Sequence, residues 1–438
     1  MKSLLTTADT VLRRYTPDPF VIALLLTVAT FALAVMGTDS QPLETVQWWG
    51  SGFWGLAEFT LKMAMILLTG YVVAKSPPVQ WFLLSLIKHV KTPTQAVLFC
   101  TFAAMIASWI NWGFGLVVGG VVALEVAKRV PAAPFRVLVA ASYSGFLVWH
   151  AGLSGSIPLA LNTETDKITQ ELVGFTVPLS QTTFGTVNLI ALASIVILLP
   201  TVNWCMLKFV GKEQAASDIE TRPAVQASVE NQELSTWLER SFLLAGLVGG
   251  LGLLFLASTL FDGTFRLNLD SVMFVFFIAG LLLHGSPRAF IESVQEAVPK
   301  IAPILIQYPL YAGIMALLVK TGLASQMSEY FVSVANADTL PLMTFYSAGL
   351  VNLFVPSGGG QWAVQAPVVL PAVEQLGADL DKTIMAVVWG DAWTNMLQPF
   401  WAVPLLSIAG MRIKDIIGLL LVVLISSGVV LSALFLML

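Results

Sequence analysis

The sequence predicts an all-α polytopic membrane protein, and three observations support this fold class. Of the 438 residues, 57% are hydrophobic and only 11% are charged, whereas a soluble domain carries about 25% charged residues. Many apolar residues form continuous runs of about 20, the length that a helix needs to cross a bilayer. These runs do not show the alternation of apolar and polar residues that is typical of strands in a membrane barrel.

Several apolar runs are long enough for a transmembrane helix. They cover 19–37, 53–74, 135–161, 184–206, 241–261, 267–285, 301–319, 383–409 and 415–437. Two further apolar regions, 93–127 and 341–376, are interrupted at their centres. The halves of the first region are marginal as full spans. We therefore expect both regions to be re-entrant helical hairpins, and 135–161 and 383–409 to be discontinuous helices.

The positions of the basic residues predict the orientation of the chain, because short cytoplasmic loops are enriched in Lys and Arg. Arg13 and Arg14 place the N-terminus in the cytoplasm. Lysine and arginine flank the hairpin 93–127 at both ends, which predicts that it enters from the cytoplasm. Acidic residues flank the hairpin 341–376, which predicts entry from the exterior and an exterior C-terminus.

The two halves of the chain therefore predict an inverted repeat. Residues 1–211 form the first repeat, 212–240 a hydrophilic cytoplasmic linker, and 241–438 the second repeat. A weak sequence echo near an offset of 243 pairs Gly70 with Gly313, Asn111 with Asn352, Gly145 with Gly390, Trp149 with Trp393, and Pro158 with Pro404. Inverted repeats with interrupted helices near the middle of the membrane are the architecture of secondary transporters.

Four breaks in the apolar runs carry the candidate binding residues. The breaks read "NWGFG" (111–115), "HAGLSGS" (150–156), "NLFVPSGGG" (352–360) and "WTNMLQP" (393–399). An interrupted helix offers a positive N-terminal end and unpaired N–H groups, so it can bind a carboxylate without a lysine. The candidate substrate-binding or ion-binding residues are Asn111, Gly113, Ser154, Ser156, Asn352, Ser357, Gly358, Gly359, Gly360, Thr394, Asn395 and Gln398.

Ion coupling has its own candidates. The amide oxygens of Asn111, Asn352 and Asn395 could bind Na⁺, and capping of a buried helix end is the alternative role for an asparagine here. Charged groups at membrane depth are functional candidates, so Asp391 is a candidate site for Na⁺ or H⁺, with support of unwound backbone as the alternative. His150 is a candidate proton relay. We expect no other cofactor, and no nucleic-acid partner.

Longer motifs give a family resemblance that runs from about residue 15 to the C-terminus. The stretches "INWGFGLVVGG", "GLSGSIPL", "VPSGGGQWAVQAPVVLPA" and "LGADLDKTIMAVVWGDAWTNMLQPFWAVPLL" resemble the bacterial short-chain fatty acid transporter family, the acetoacetate and butyrate uptake carriers. The resemblance implies a multi-pass carrier of short monocarboxylates in the bacterial inner membrane. It also implies a place near a wider ion-transporter superfamily, whose members often form homodimers. Many members of the family carry glycine at the position of His150, so the resemblance counts against a general coupling role for that residue.

Two other functions fit parts of the sequence. A passive anion channel would use the same breaks as a pore. An intramembrane serine hydrolase is the other alternative, because "GLSG" (152–155) places Ser154 in a Gly-x-Ser-Gly pattern, and such an enzyme needs a histidine base within hydrogen-bond reach. The chain has no Gly-x-x-x-x-Gly-Lys motif, which argues against ATP-driven transport by this chain alone.

Overall fold

The computed structural model describes residues 17–162, 174–210, 234–265 and 269–438. Within these ranges the regular structure is helical, with no strand. Seven helices of the described part of the chain are long and apolar enough to cross a membrane. The prediction of an all-α polytopic membrane protein is therefore confirmed.

The first half contains nine helices among the described residues. These are α1 (Pro19–Gly37), α2 (Pro42–Gly52), α3 (Ala57–Lys75), α4 (Pro77–Ile87), α5 (Pro93–Ile110), α6 (Trp112–Arg129), α7 (Phe135–Ser144), α8 (Ser156–Leu161) and α9 (Thr186–Phe209). A short 3-10 turn, Gly145–Val148, continues α7.

The second half contains ten helices among the described residues. These are α10 (Leu234–Arg240), α11 (Phe242–Phe261), α12 (Leu269–His284), α13 (Pro287–Lys320), α14 (Leu323–Ser333), α15 (Leu340–Asn352), α16 (Gly358–Leu376), α17 (Leu380–Thr394), α18 (Pro399–Ala409) and α19 (Ile413–Met437).

The same order of elements occurs in both halves. A long helix (α3 or α13) is followed by a short helix, an interrupted helix pair, a discontinuous helix and a final long helix. Gly145 and Gly390, paired in the sequence echo, have matching surroundings. A Cβ atom on Gly145 would lie 2.7 Å from the backbone N of Met105 on α5, and one on Gly390 would lie 2.3 Å from the backbone O of Phe345 on α15. In each half, a glycine lets the discontinuous helix approach the first arm of the interrupted pair.

Both interrupted regions fold back on themselves as antiparallel pairs. In the first pair, a Cβ atom on Gly115 would touch Ser108 and one on Gly119 would lie 3.6 Å from Ala104 Cβ. In the second pair, Gln361 Nε2 donates to the backbone O of Ala348. The arms α5–α6 and α15–α16 are thus helical hairpins in shape. Their entry into the bilayer from opposite faces stays a prediction.

The discontinuous helices lie at the centre of the molecule. Almost every residue of α7 and of α17 is buried, which places both helices in the interior of the protein. By contrast, α1 and α11 expose much of their apolar surface, as expected of helices that face lipid. The breaks in α7–α8 and α17–α18 are therefore held deep inside the protein.

Two predicted boundaries are wrong. The run 301–319 is only the second part of α13, which begins at Pro287 and is about 51 Å long at 1.5 Å per residue. Arg288, Glu292, Glu296 and Lys300 break the apolar run. Glu296 is paired with Lys75 of α3 (3.1 Å), and Arg288 with Glu292 on the same helix (3.0 Å). The run 53–74 becomes a helix only from Ala57, because residues 53–56 form turns.

Some predictions fall outside the described residues. These are the placement of Arg13 and Arg14 and the greater part of the linker 212–240. The only part of that linker that the structure describes, 234–240, is helical as α10.

Candidate functional site

The first break is a capped helix start. Asn111 leaves the helical conformation (φ −153°, ψ 129°), and its Oδ1 accepts hydrogen bonds from the backbone N of Gly113 (3.0 Å) and of Phe114 (3.1 Å). A buried first turn has donors with no partner in the helix, and asparagine is among the best residues to satisfy them. Asn111 is only 3% exposed. The capping role that the sequence left open as an alternative is the one that the geometry supports.

The tip of the first hairpin is bound to the break in α7–α8. The backbone N of Trp112 donates to Ser154 Oγ (3.0 Å), and the backbone N of Leu153 donates to the backbone O of Trp109 (2.8 Å). Gly152 lies so close to Trp109 that a Cβ atom would be 2.1 Å from its backbone O. Ser154 therefore links the break at 111–115 to the break at 150–156.

The second hairpin ends in a polar cluster with α17. The Asn352 Nδ2 lies within donating distance of three acceptors: the backbone O of Asp391 (2.9 Å), Thr394 Oγ1 (2.9 Å) and Asn395 Oδ1 (2.7 Å). A side-chain amide has two hydrogens, so these three acceptors share them. Asn352, Asn395 and Asp391 are fully buried. The cluster joins the predicted residues of two breaks.

Gln398 completes this cluster from the second discontinuous helix. Its Nε2 donates to the backbone O of Leu353 (2.8 Å), and its Oε1 accepts from the backbone N of Phe400 (3.2 Å). The side chain thus caps α18 and at the same time satisfies a carbonyl that the end of α15 leaves free.

The helix α16 begins at the predicted glycine-rich break. Ser357 is the residue before the first helical turn, and its Oγ accepts from the backbone N of Gly360 at 3.4 Å. Ser357, Gly359 and Gly360 are half-buried, whereas Asn111 and Gly113 at the other hairpin tip are buried. The positive end of a 19-residue helix is therefore placed inside the protein with part of its surface still accessible.

Gly358 brings the break at 150–156 to this helix end. A Cβ atom on Gly358 would lie 2.2 Å from Ser156 Oγ, 2.7 Å from His150 Cε1 and 3.0 Å from Asp391 Oδ2. Only a residue without a side chain fits such a close approach. Two of the four breaks, 150–156 and 352–360, thus meet at Gly358, beside Asp391 of α17. The first hairpin tip is linked to this point through the segment 150–156.

His150 and Asp391 form a buried contact between the two halves of the chain. His150 Nδ1 lies 2.9 Å from Asp391 Oδ2, and both side chains have no exposed surface. His150 Nε2 lies 3.1 Å from Ser156 Oγ and accepts a hydrogen bond from the backbone N of Ile157 (3.2 Å). A backbone N–H can only donate, so Nε2 is the acceptor nitrogen of a neutral ring. The other ring nitrogen, Nδ1, is the one nearest Asp391, but among the described residues it has no aligned hydrogen-bond partner, and neither has either oxygen of the Asp391 carboxylate.

An aromatic layer lies beside the breaks. The ring centroid of Trp112 is 5.2 Å from that of Trp401, and the centroid of Trp149 is 5.4 Å from that of Trp401. Trp149 also stacks on His150 at 4.2 Å. The layer gives the polar cluster an apolar wall.

Two residues with a role at this site are not among the sequence-predicted ones. Asn188 Nδ2 donates to the backbone O of Ala151 (3.0 Å), and its Oδ1 accepts from Trp389 Nε1 (3.0 Å). Tyr143 donates its hydroxyl hydrogen to the backbone O of Asn395 (2.7 Å). A single asparagine near the start of the apolar run 184–206 was the available signal for Asn188. Tyr143 gave none.

The predicted sodium ligands stay a prediction. The Oδ1 atoms of Asn111 and Asn395 accept hydrogen bonds, whereas Asn352 Oδ1 is left without a partner in the described part of the chain. The described residues contain no group of three or more His, Cys, Asp or Glu side chains that could hold a metal ion. We derive no step through sodium at these amides.

An open cleft of about 600 Å³ lies elsewhere, near the C-terminal end of α1. Asp39 and Glu44 line it together with Trp48 and Thr321. Two carboxylates disfavour a bound anion, so we assign no substrate to this cleft.

Comparison with known proteins gives the following matches. A family model described as "Short chain fatty acid transporter" matches residues 1–438. A protein of Escherichia coli (strain K12) is 40% identical over 423 residues, which is 95% of each chain, and one of Haemophilus influenzae is 39% identical over 417 residues, which is 93% of each chain. Both carry the name "Putative short-chain fatty acid transporter". Among solved structures, the YdaH transporter of Alcanivorax borkumensis is 18% identical with a TM-score of 0.45, covering 95% of this chain and 98% of that one.

Proposed function

The chain belongs to the short-chain fatty acid transporter family, and on that premise we propose that it moves short monocarboxylates such as acetoacetate and butyrate by ion-coupled alternating access. Membership of the family makes it a membrane transporter and not an enzyme. The substrate, the coupling and the mechanism are the proposed part.

One observation carries the proposal: the N-terminal end of α16 lies inside the protein at Ser357–Gly360, next to the break at 150–156 and to Asp391. The first N–H groups of a helix and its dipole favour a negative charge. Consecutive glycines leave the backbone open to a small ligand. Among the described residues, the side chains nearest to a Cβ atom on Gly358 are Ser156, His150 and Asp391, and Met315 Sδ would lie 3.3 Å from a Cβ atom on Gly360.

The surroundings suit a small acid with one charge. A dicarboxylate would bring a second negative charge into a site whose donors are neutral, and desolvation of that charge costs several kcal/mol. The aromatic layer of Trp112, Trp149 and Trp401 offers apolar contact to a short alkyl chain. The combination favours a monoanion with a tail of a few carbons.

Alternating access is supported by the repeated order of elements in the two halves. Each half provides one hairpin tip and one discontinuous helix, and contacts such as that of Tyr143 with Asn395 join the halves at the centre. In transporters of this architecture, one repeat moves against the other around a central site. In this proposal the two hairpin tips open in turn. The protein lies in the inner membrane of a bacterial cell, with its N-terminus in the cytoplasm and its C-terminus outside.

Counterflow tests this proposal. The purified protein is reconstituted in proteoliposomes loaded with unlabelled butyrate, and the uptake of external labelled butyrate is measured. A carrier gives saturable uptake that transiently exceeds equilibrium. Uptake that rises linearly with concentration and shows no counterflow indicates a channel and overturns the proposal.

The serine hydrolase alternative is not retained. Ser154, the predicted nucleophile, accepts a hydrogen bond from the backbone N of Trp112, and the serine beside His150 is Ser156. The order Asp391, His150, Ser156 is similar to that of a hydrolase triad. However, Ile157 N–H also occupies the histidine nitrogen that would act as base.

A further inference from the structure

The pair formed by His150 and Asp391 is a titratable group shared by the two halves of the chain. His150 belongs to the break after α7, and Asp391 to α17. Their contact, Nδ1 to Oδ2, is 2.9 Å long and fully buried. A buried charge is costly unless it is paired, and intramembrane ionisable residues mark ion and proton pathways. Neither a packing role nor capping requires a carboxylate at this point.

The hydrogen bonds of neighbouring groups indicate which atoms of the pair carry hydrogens. Because Ile157 N–H donates to His150 Nε2, the ring is neutral with its hydrogen on Nδ1. Nδ1 lies 2.9 Å from Asp391 Oδ2 without the alignment of a hydrogen bond, and both oxygens of the Asp391 carboxylate lack a hydrogen-bond partner among the described residues. In this state the pair has a net charge of −1. One further proton would make it neutral overall.

The Asp391 carboxylate also lies next to the N-terminal end of α16, where the substrate would bind. Asp391 Oδ2 would be 3.0 Å from a Cβ atom on Gly358, the first residue of α16. A negative Asp391 therefore interacts with the positive end of α16 and repels a second carboxylate in the low dielectric of the interior. Binding of one proton removes this net charge and leaves the helix end free to attract an anion.

We propose that the His150–Asp391 pair binds the proton that travels with each carboxylate anion, so that the protein is a proton–monocarboxylate symporter. This inference rests on the proposed transport function. The proton comes from water on the side where the substrate enters and binds to the pair, and the substrate anion then binds at the N-terminal end of α16. Both leave to the other side, so one positive and one negative charge move together.

Other titratable groups on the packed elements do not compete for this role. On α7, the hydroxyl hydrogen of Tyr143 is donated to Asn395 O, and on α15 the Tyr346 hydroxyl is paired with Ser432 Oγ. The backbone O of Leu424 on α19 accepts a hydrogen bond from Trp393 Nε1, close to the centre. Counted from Gly358, Asp391 or Leu424, the charged residues of α16, α17 and α19 stand at least nine residues away along the chain, about 13 Å or more at the helical rise. They are Glu374 on α16, Asp381 and Lys382 on α17, and Lys414 and Asp415 on α19. Arg136 lies at the start of α7, at the far end of that helix from His150. On α9, which meets the site at Asn188, Cys205 and Lys208 are farther still along the helix.

The experiment compares two transport modes in proteoliposomes. Net uptake of labelled butyrate is driven by an inward proton gradient, with the rate in protein-free liposomes subtracted because butyric acid itself crosses bilayers. Counterflow is measured at equal pH on both sides and needs no net proton transfer. We expect the ratio of proton-driven uptake to counterflow to fall at least tenfold in Asp391→Asn and in His150→Gln.

Matched controls use the same substitutions outside the pair. Asp270→Asn changes a carboxylate that binds Lys62, and His89→Gln changes an exposed histidine. Both should keep the wild-type ratio. An unchanged ratio in Asp391→Asn, or wild-type accumulation that follows a sodium gradient and ignores the proton gradient, overturns the inference.

A measurement on the wild-type protein covers the case in which the variants lose all transport. Butyrate adjusted to the sample pH is added to the purified protein in weakly buffered detergent solution, and an indicator dye reports proton uptake. We expect uptake of up to one proton per bound butyrate, and no uptake overturns the inference. If the wild-type protein shows no butyrate counterflow at all, the proposed function itself fails, which is a distinct result.

Discussion

Gly358 lies so close to Ser156 that a Cβ atom on Gly358 would be 2.2 Å from the Ser156 Oγ. These residues belong to different halves of the chain and start two helices, α16 and α8. The contact shows that the break at 150–156 and the break at 353–357 form one centre. The first prediction follows from the close approach of Gly358 to Ser156.

Gly358→Ala should reduce butyrate counterflow at least tenfold, because the added methyl group must displace Ser156 or His150 from the centre. Gly250→Ala is the matched control. Gly250 lies within α11, and a Cβ atom there would meet nothing within 4 Å. Equal counterflow in both variants would show that the centre tolerates a side chain, contrary to the geometry.

Ser357→Ala should weaken butyrate binding about fivefold while the protein still inserts in the membrane. The loss of a capping hydroxyl costs about 1 kcal/mol, which is about a factor of five in affinity, and it disturbs the turn that presents Gly358 and Gly359. Ser333→Ala, on an exposed serine of α14, is the control. Binding is measured by calorimetry, and wild-type affinity in Ser357→Ala would contradict the site.

Gly359→Leu should abolish butyrate binding, because the leucine side chain would stand in the half-buried space in front of the helix end. Insertion is checked by the yield of protein in the membrane fraction. Uptake at the wild-type rate would place the substrate elsewhere.

Much of this site was predictable from the composition of the breaks. Three consecutive glycines after a proline are unfavourable in a helix interior by about 1 kcal/mol per glycine, so a helix start at 357–360 was expected and is found. Asn111 likewise stands at the break that its polar side chain indicated. The helix propensities of the residues themselves predict where such helices start.

The partners across the centre were not predictable. The contact of His150 with Asp391 joins residues far apart in sequence, and no local pattern specifies which serine, Ser154 or Ser156, faces the histidine. The start of α13 was missed because its charged residues interrupt the apolar run, although Lys75 compensates Glu296 in the fold. These contacts depend on the tertiary fold, and the periodicity of the sequence does not predict them.

Asn352→Ala should destabilise the protein by about 1–3 kcal/mol, because the acceptors on Asp391, Thr394 and Asn395 lose a buried donor. Thermal unfolding in detergent measures this as a lower Tm. Gln326→Ala, at an exposed position on α14, should leave the Tm unchanged. If both variants melt like the wild-type protein, the amide cluster does not contribute to stability.

A fluorophosphonate probe should label neither Ser154 nor Ser156. Ser154 Oγ accepts from Trp112 N, and Gly358 packs against Ser156, so neither hydroxyl is free to attack a phosphorus atom. A soluble serine hydrolase added to the same sample serves as positive control. Covalent labelling of Ser156, seen by peptide mass spectrometry, would restore the enzymatic alternative.

The central claim, that a small carboxylate binds at the N-terminal end of α16, is tested most directly by substrate protection. Ser357→Cys is made together with Cys205→Ser, while Cys100 is buried and stays. The rate of alkylation of the new thiol by N-ethylmaleimide is then measured in proteoliposomes. Saturating butyrate should slow it at least fivefold, whereas 1-butanol, which has the same carbon chain without the charge, should not. Equal rates with and without butyrate would contradict the account.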